Sequence, residues 1–324
     1  MRNQALKDII VDRLLPRVQT PAQYIGGEWN AVRKDRGAGC QPAPDKADYQ
    51  SVPQTADARS ASRGTLCLCF PDTYSIGMSC HGVQVLYDVM NRRDDWACER
   101  AFTPLEDFEQ LLREHRLPLY GLESFTPLKE FDVVGFTLQH DLCYTNVLTM
   151  LDLGGIPLHA QDRTMDHPLV IAGGPCASNP EPMARFIDLF VIGDGEEALP
   201  EVCDLWMKIK PRPLVAPEDA REGATTGRGF IESRRVRQSA LAEMSARLPY
   251  AYVPQSFDPG PGCRPAGETD QPAKTIEPAV VLTSTPSHRP PPRSSLTSNA
   301  SRTASPSRSC AAVRADAASA RARP

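Results

Sequence analysis

The stretch that decides the fold is GTLCLCFPDTYSIGMSCHGVQVLYDVMNRR, residues 64–93. Its first seven residues form a short, almost continuously apolar run, which predicts a strand buried on both faces. Residues 77–93 place apolar side chains at helical spacing, which predicts a helix close behind the strand. A strand followed at once by a helix is the repeating unit of a parallel α/β sheet.

The same alternation of strand and helix continues to residue 210. We predict strands over residues 98–103, 131–138, 167–175 and 186–194, and helices over 104–116, 141–155 and 195–210. Helices that connect parallel strands form right-handed crossovers and cover both faces of the sheet. Residues 64–210 are therefore predicted to form a doubly wound, Rossmann-like α/β domain.

The segments on both sides of this domain differ from it in composition. Residues 1–33 include a predicted helix over 5–18, and residues 34–63 have the polar composition of a loop or linker. Residues 211–257 are predicted to contain a linker, a helix over 229–248 and a strand or extended segment over 250–257. Residues 258–324 are rich in Pro, Ser, Ala and Arg and are predicted to be a disordered tail.

Net charge and cysteine usage limit the partners and the compartment. The chain has 324 residues, a formal net charge of −4 and 23% charged residues. This balance does not favour binding to nucleic acid or to an anionic membrane. Ten cysteines, the lack of an export signal and the lack of a long apolar run together predict a cytoplasmic protein with reduced thiols and no membrane span.

Three loops are predicted to lie at the carboxyl edge of the sheet, where open α/β sheets bind ligands. They are residues 71–79, 172–180 and 192–197, and their glycines permit a ligand to approach the backbone closely. A tight turn between strand and helix is the alternative explanation for each loop. His81 and His140 fall near this edge, but a lone His is more often structural than a ligand. The candidate cofactor-binding residues are Asp72, Tyr74, Gly77, Ser79, Gln139, Gly173, Gly174, Gly193, Gly195 and Glu196.

Four stretches of the sequence, in this order, resemble the N-terminal cobalamin-binding-type domain of an uncharacterised family of radical SAM proteins. They are FPDTYSIGMSCHG, DVVGFTLQHDLCYTNVLTMLDLGGIPL, PLVIAGGPCASNPEP and DLFVIGDGEEALPE. The resemblance implies a cobalamin domain that precedes a radical SAM barrel in the same chain. Such a barrel holds a four-iron four-sulfur cluster on a C-x3-C-x2-C motif and cleaves S-adenosylmethionine reductively.

Two features depart from the pattern of this family. Many cobalamin domains contain D-x-H-x-x-G, whose His ligates cobalt, whereas this chain has Asp72, Tyr74 and Gly77 at that spacing. A bound cobalamin would therefore lack a His ligand from this position, and cobalamin binding itself stays open. The ten cysteines include no C-x3-C-x2-C motif, so no cluster, metal site or radical activity is expected of this chain alone.

The tail after about residue 282 has the composition of a GC-rich gene translated out of frame. Codons shifted by one base between Arg293 and Ala322 permit the run GCARGCRFC, which has the missing C-x3-C-x2-C spacing. We therefore predict a change of reading frame near Val281–Thr283, just before the catalytic barrel. A natural basic tail is the alternative, and the third bases of the codons distinguish the two.

The leading hypothesis is that the chain is the cobalamin-domain portion of a radical SAM enzyme without its catalytic barrel. The rival is a non-catalytic module that binds cobalamin or docks onto another domain. An ordinary nucleotide-binding domain is disfavoured, because neither G-x-G-x-x-G nor G-x4-G-K-[ST] follows the first strand.

Overall fold

Six strands form one sheet within residues 2–26, 28, 30–32, 64–210, 227–254 and 276–280, which are the residues that the structure, a computed structural model, describes. The strands are β1 (Gly64–Phe70), β2 (Trp96–Phe102), β3 (Val133–Thr137), β4 (Leu169–Gly173), β5 (Leu189–Val191) and β6 (Ala251–Tyr252). Their order is β2–β1–β3–β4–β5–β6. β1 to β5 are parallel, and β6 pairs antiparallel with β5. The predicted doubly wound, Rossmann-like architecture is confirmed.

Helices cover both faces of this sheet. They are α1 (Arg2–Ile9), α2 (Tyr74–Gly77), α3 (His81–Asn91), α4 (Glu106–His115), α5 (Tyr144–Leu153), α6 (Gly195–Ile209) and α7 (Gly227–Arg247). The buried residues of α6 and α7 form one core layer, together with Tyr87 and Met90 of α3. The buried residues of α4, α5 and the N-terminal segment form the other layer. The sheet therefore lies between two apolar layers, as right-handed crossovers require.

β1 is central in the sheet and buried along its whole length. It pairs in parallel with β2 on one side and with β3 on the other. Leu66 and Leu68 face one core layer, whereas Cys67 and Cys69 face the other. Because both faces are covered, nearly every position of the strand is apolar, which is the pattern that predicted it.

The structure shifts several predicted boundaries. The helix predicted over residues 77–93 is α3, which starts later, at His81, because the chain turns at residues 78–80 after the short helix α2. The strand predicted over 98–103 begins earlier, at Trp96, whose side chain is buried. The helix predicted over 5–18 ends as α1 at Ile9 and continues as a π-helical turn over Ile10–Leu14.

Residues 276–280 lie beside the carboxyl end of β5, although they fall within the segment predicted to be a tail. We call them the edge segment. The Ala279 N–H donates a hydrogen bond of 2.9 Å to the Ile192 carbonyl oxygen, and Ala279 and Gly193 form a parallel bridge. The predictions for residues 34–63, 211–226, 255–275 and 281–324 lie outside the described residues. Among the helices described, none is long and apolar enough to cross a bilayer.

Candidate functional site

The loops that follow β1, β3, β4 and β5 lie at one carboxyl edge, because these strands are parallel. The helix after β1 packs in one core layer, with α6, and the helix after β3 packs in the other. The crevice between the ends of β1 and β3 is therefore the switch point, where open α/β sheets bind ligands. We call it the switch crevice; residues 71–79 border it on one side and residues 138–143 on the other.

The structure brings part of the predicted site together around the switch crevice. His140 Nε2 lies 3.9 Å from Asp72 Oδ2, and both side chains are partly exposed. The Leu138 N–H donates a 2.7 Å hydrogen bond to the Gly173 carbonyl oxygen, which joins the loop after β3 to the loop after β4. The predicted residues in these adjoining loops are Asp72, Gln139, Gly173 and Gly174.

Three apolar side chains at the carboxyl edge are exposed to solvent. Leu142, in the 3-10 turn after β3, is 87% exposed. Ile76 of α2 is 52% exposed, and Val280 of the edge segment is 60% exposed. Leu142 is the most exposed of the large apolar side chains that the structure describes.

The thiol and phenol groups near the switch crevice are held in their neutral forms. The Cys143 thiol donates a 2.7 Å hydrogen bond to the His140 carbonyl oxygen, and the Tyr144 side chain hydrogen-bonds to Cys176. Burial is the main reason that the pKa of the Cys143 thiol and the pKa of the Tyr144 hydroxyl are raised. A raised pKa disfavours the thiolate, so Cys143 is poorly suited to act as a nucleophile.

The polar side chains in the loop after β1 have protein partners. The Tyr74 hydroxyl donates a 2.7 Å hydrogen bond to Glu28 Oε1, which belongs to the N-terminal segment. Ser79 Oγ donates a 2.9 Å hydrogen bond to the Ser75 carbonyl oxygen within the same loop. Tyr74 and Ser79 therefore lie in the predicted loop, but their polar atoms are engaged by the chain itself.

Two of the glycines predicted to let a ligand approach are packed against side chains. A Cβ atom at Gly77 would collide with the rings of Phe102 and Phe70. A Cβ atom at Gly195 would lie 3.0 Å from Leu86 Cδ2, because α6 packs closely on α3. Close packing between elements accounts for both glycines.

Gly193 supports the edge segment. Its φ is +109°, and a Cβ atom there would collide with the backbone of Ala279. Residues with side chains rarely adopt such a φ, so the turn after β5 needs glycine. Glu196 follows in the first turn of α6 and is exposed. The close approach of the edge segment therefore explains the need for glycine at position 193, and no ligand is required to explain it.

A buried charged network lies behind the loop after β1, and the sequence analysis missed it. Arg100 of β2 is 1% exposed; its Nε donates to Glu123 Oε1 at 2.8 Å, and its Nη2 lies 3.5 Å from Glu28 Oε2. Burial favours loss of the Arg100 charge, but Glu123, Tyr87 and Glu28 together more than offset this effect and raise the Arg100 pKa. The available signal was the pair Glu99–Arg100 inside a strand that was otherwise predicted to be buried.

Cys67 and Cys69 of β1 pack in the core. Both are buried, and their sulfur atoms lie 4.0 Å apart on one face of β1. Burial raises the pKa of the Cys67 thiol well above its ordinary value. Over the residues that the structure describes, no three His, Cys, Asp or Glu side chains form a group that could hold a metal ion.

A cavity of about 640 Å³ lies on the outer side of α6, next to the end of α7. Its lining includes Glu201, Asp204 and Lys208 of α6 and Arg247 of α7. The Tyr250 hydroxyl already donates a 2.6 Å hydrogen bond to Glu201 Oε2. This cavity is a groove of mixed charge, and none of the predicted cofactor-binding residues lines it.

Comparisons with known proteins relate the chain to one class. Residues 82–224, under half of the chain, match the family described as radical SAM proteins, N-terminal. A stretch of 134 residues is 25% identical to an uncharacterized protein of Methanocaldococcus jannaschii and makes up 40% of this chain and 24% of that relative. The chain therefore spans about a quarter of the length of this curated relative. No solved structure matches the chain.

Proposed function

We propose that this chain is the N-terminal, non-catalytic domain of a radical SAM enzyme, and that its carboxyl edge docks the catalytic domain. The family match is to the N-terminal regions of such proteins, and the similar archaeal protein is much longer than the matched stretch. The catalytic domain would carry the four-iron four-sulfur cluster and bind S-adenosylmethionine. The cofactor supplies the radical chemistry, and the described domain supplies a rigid surface that positions its partner.

The exposure of Leu142 is the observation that carries this proposal. Its side chain is 87% exposed directly beside the switch crevice, and that of Ile76 is half exposed on the other side. The edge segment brings the chain to this same edge, so the sequence after Val280 starts there. A tether of this kind raises the effective concentration of the following domain at the edge.

Polar groups between the apolar side chains complete the proposed docking surface. Asp72 and His140 lie 3.9 Å apart in the switch crevice and are both open to solvent in part. Protein interfaces commonly combine a few apolar anchors with a surrounding polar rim. We expect Leu142 and Ile76 to act as the anchors, and Asp72 and His140 to make the polar contacts.

Cobalamin is the further cofactor that the sequence resemblance implies, and a docking domain that also binds cobalamin is the second candidate. The observation in its favour is Gly173, beside which a Cβ atom would have only the Val191 carbonyl oxygen as a neighbour, at 3.8 Å. Asp72 and Gln139 lie in the adjoining loops and would contact a ligand placed there. Such a cobalamin would have no His ligand at position 74.

The test compares the chain as given with a form whose reading frame is restored near codon 282. Both are reconstituted with iron and sulfide without oxygen, and 5′-deoxyadenosine released from S-adenosylmethionine is measured by chromatography. We expect the restored form to assemble a cluster and cleave S-adenosylmethionine, and the chain as given to do neither. Cleavage by the chain as given would contradict the proposal. So would third bases in the coding DNA that forbid cysteine at the codon junctions entering Val313, Ala317 and Ala320.

A further inference from the structure

Tyr74 stands where cobalamin domains with D-x-H-x-x-G place their cobalt-ligating His. Its hydroxyl donates a 2.7 Å hydrogen bond to Glu28 Oε1, and its ring packs edge-on against Phe102 with the centroids 5.3 Å apart. Burial, followed by the hydrogen bond to Glu28, raises the pKa of Tyr74 to about 12. The Tyr74 oxygen is therefore a neutral hydroxyl with a protein partner, and it is not a phenolate available to cobalt.

Glu28 is itself held by the buried Arg100. Its Oε2 lies 3.5 Å from Arg100 Nη2, and the Arg100 guanidinium lies over the ring of Tyr87 at 4.2 Å from the centroid. Arg100 is fixed by Glu123, which accepts hydrogen bonds from its Nε and its backbone N–H. Because Glu28 is almost fully buried, turning Tyr74 away would leave a buried carboxylate oxygen without its donor, which is costly.

Protein atoms also occupy the space beside two of the edge glycines. The rings of Phe102 and Phe70 lie where a side chain at Gly77 would begin. The backbone of Ala279 lies in the same way against Gly193, and hydrogen bonds hold it there. A ligand that approached Gly77 would have to displace buried aromatic rings, and a ligand that approached Gly193 from the side of Ala279 would have to displace the edge segment.

We infer that this carboxyl edge is closed to cobalamin, because the chain's own residues occupy the places where a cobalamin domain would contact its cofactor. Glu28 is the hydrogen-bond partner of Tyr74, the residue at the spacing of the cobalt-ligating His, and Ala279 packs against one side of Gly193. This inference decides against the second candidate function, cobalamin binding, and leaves the docking role unchanged, because a docking domain can work without a cofactor.

The test is equilibrium dialysis of the full chain against hydroxocobalamin, followed by absorbance spectroscopy of the protein compartment. We expect equal cobalamin concentrations on both sides and the spectrum of free cobalamin. A cooperative thermal transition establishes that the chain is folded, and a protein that binds cobalamin through a His ligand is the positive control. Saturable retention of cobalamin by the chain, with or without a spectral shift, would overturn the inference.

A pair of variants distinguishes a site that protein atoms fill from a site that lacks only the His ligand to cobalt. Tyr74→His supplies the absent imidazole, and Tyr144→His places an imidazole at the same edge but outside the D-x-H-x-x-G spacing. If the missing His were the sole obstacle, Tyr74→His would retain cobalamin with a shifted spectrum, and Tyr144→His would not. We expect neither variant to retain it, and retention by Tyr74→His alone would overturn the inference.

Discussion

The carbonyl oxygen of Ala279 accepts a 2.8 Å hydrogen bond from the backbone N–H of Asp194. A second hydrogen bond, of 2.9 Å, joins the Ala279 N–H to the Ile192 carbonyl oxygen. The two bonds flank Gly193 in sequence. Because Gly193 has no side chain, the edge segment can approach the backbone that follows β5. Attachment of the edge segment therefore depends on glycine at position 193.

Gly193→Ala is expected to detach the edge segment. The added methyl group would collide with Ala279, and the φ of +109° adds strain of about 1–3 kcal/mol. Loss of about 1.4 kcal/mol corresponds to about tenfold faster opening. We therefore expect the amides of Ala279 and Asp194 to exchange with deuterium about tenfold faster or more, as measured by mass spectrometry.

Gly82→Ala is the matched control for this experiment. Apart from its chain neighbours and the backbone of its own helix, no atom lies within 4 Å of a Cβ placed at Gly82, which is in α3. Alanine in a helix is more stable than glycine by roughly 0.5–1 kcal/mol, so this variant should be slightly more stable and leave the edge amides protected. Unchanged exchange in Gly193→Ala, or equal acceleration in both variants, would contradict the role given to Gly193.

Tyr74→Phe is expected to destabilise the fold, because it removes the hydroxyl that donates to the buried Glu28 carboxylate. Hydrogen bonds to charged groups contribute about 1.5–3 kcal/mol, and we expect a loss of this size in the free energy of unfolding by urea. Tyr252→Phe is the control, since it removes a hydroxyl that donates to Glu181 in an exposed setting. Its loss should stay below about 1 kcal/mol; equal losses in the two variants would show that Glu28 does not depend on Tyr74.

His167 is expected to make stability depend on pH. Its Nδ1 accepts a 3.0 Å hydrogen bond from the Thr164 N–H, so this nitrogen carries no proton. Burial, and then the positive charge of Arg237, lowers the pKa of His167 below its ordinary value. The other charged groups that act on it are Arg163, which lowers the pKa further, and Asp166 and Asp188, which raise it.

The sign of the effect follows from the lowered pKa. As the pH falls through about 6.5, the unfolded chain takes up a proton that the folded chain does not, so the free energy of unfolding decreases. His167→Gln should therefore weaken the loss of stability between about pH 7.5 and about pH 5.5, measured by urea unfolding at each pH. His81→Gln changes an exposed imidazole and should keep the full pH dependence. A slope unaffected by His167→Gln would exclude this residue as its source.

The sequence predicts best those elements whose signal is local. The seven residues of β1 are buried on both faces, and their apolar run predicts both ends of the strand correctly. Arg100 shows the limit, because a charged residue inside a strand gives no hint of its partner. That partner, Glu123, lies 23 residues further along in a loop, and the three-dimensional fold alone brings the two together.

The sequence predicts the edge of the sheet at which the candidate site lies, but it does not predict which residues contact one another there. Alternating strands and helices place Asp72, Gln139 and Gly173 at the ends of parallel strands, and these ends must meet at one edge. Their neighbours come from distant parts of the chain. Glu28 reaches Tyr74 from the N-terminal segment, and Ala279 reaches Gly193 from the edge segment. Glycine is compatible with both a ligand and a close protein contact, so the sequence pattern alone does not separate them.

The most direct test of the docking role compares Leu142→Asp with Leu158→Asp in the frame-restored form. Leu142 is 87% exposed at the carboxyl edge, and Leu158 is 37% exposed in the connection from α5 to β4, at the opposite end of the sheet. Neither substitution empties the core, so both variants should unfold near the temperature of the unsubstituted form. We expect Leu142→Asp to lower the release of 5′-deoxyadenosine about tenfold, a coupling of about 1.4 kcal/mol, and Leu158→Asp to leave it unchanged. Full activity in Leu142→Asp, or equal losses in the two variants, would contradict the claim that this edge docks the catalytic domain.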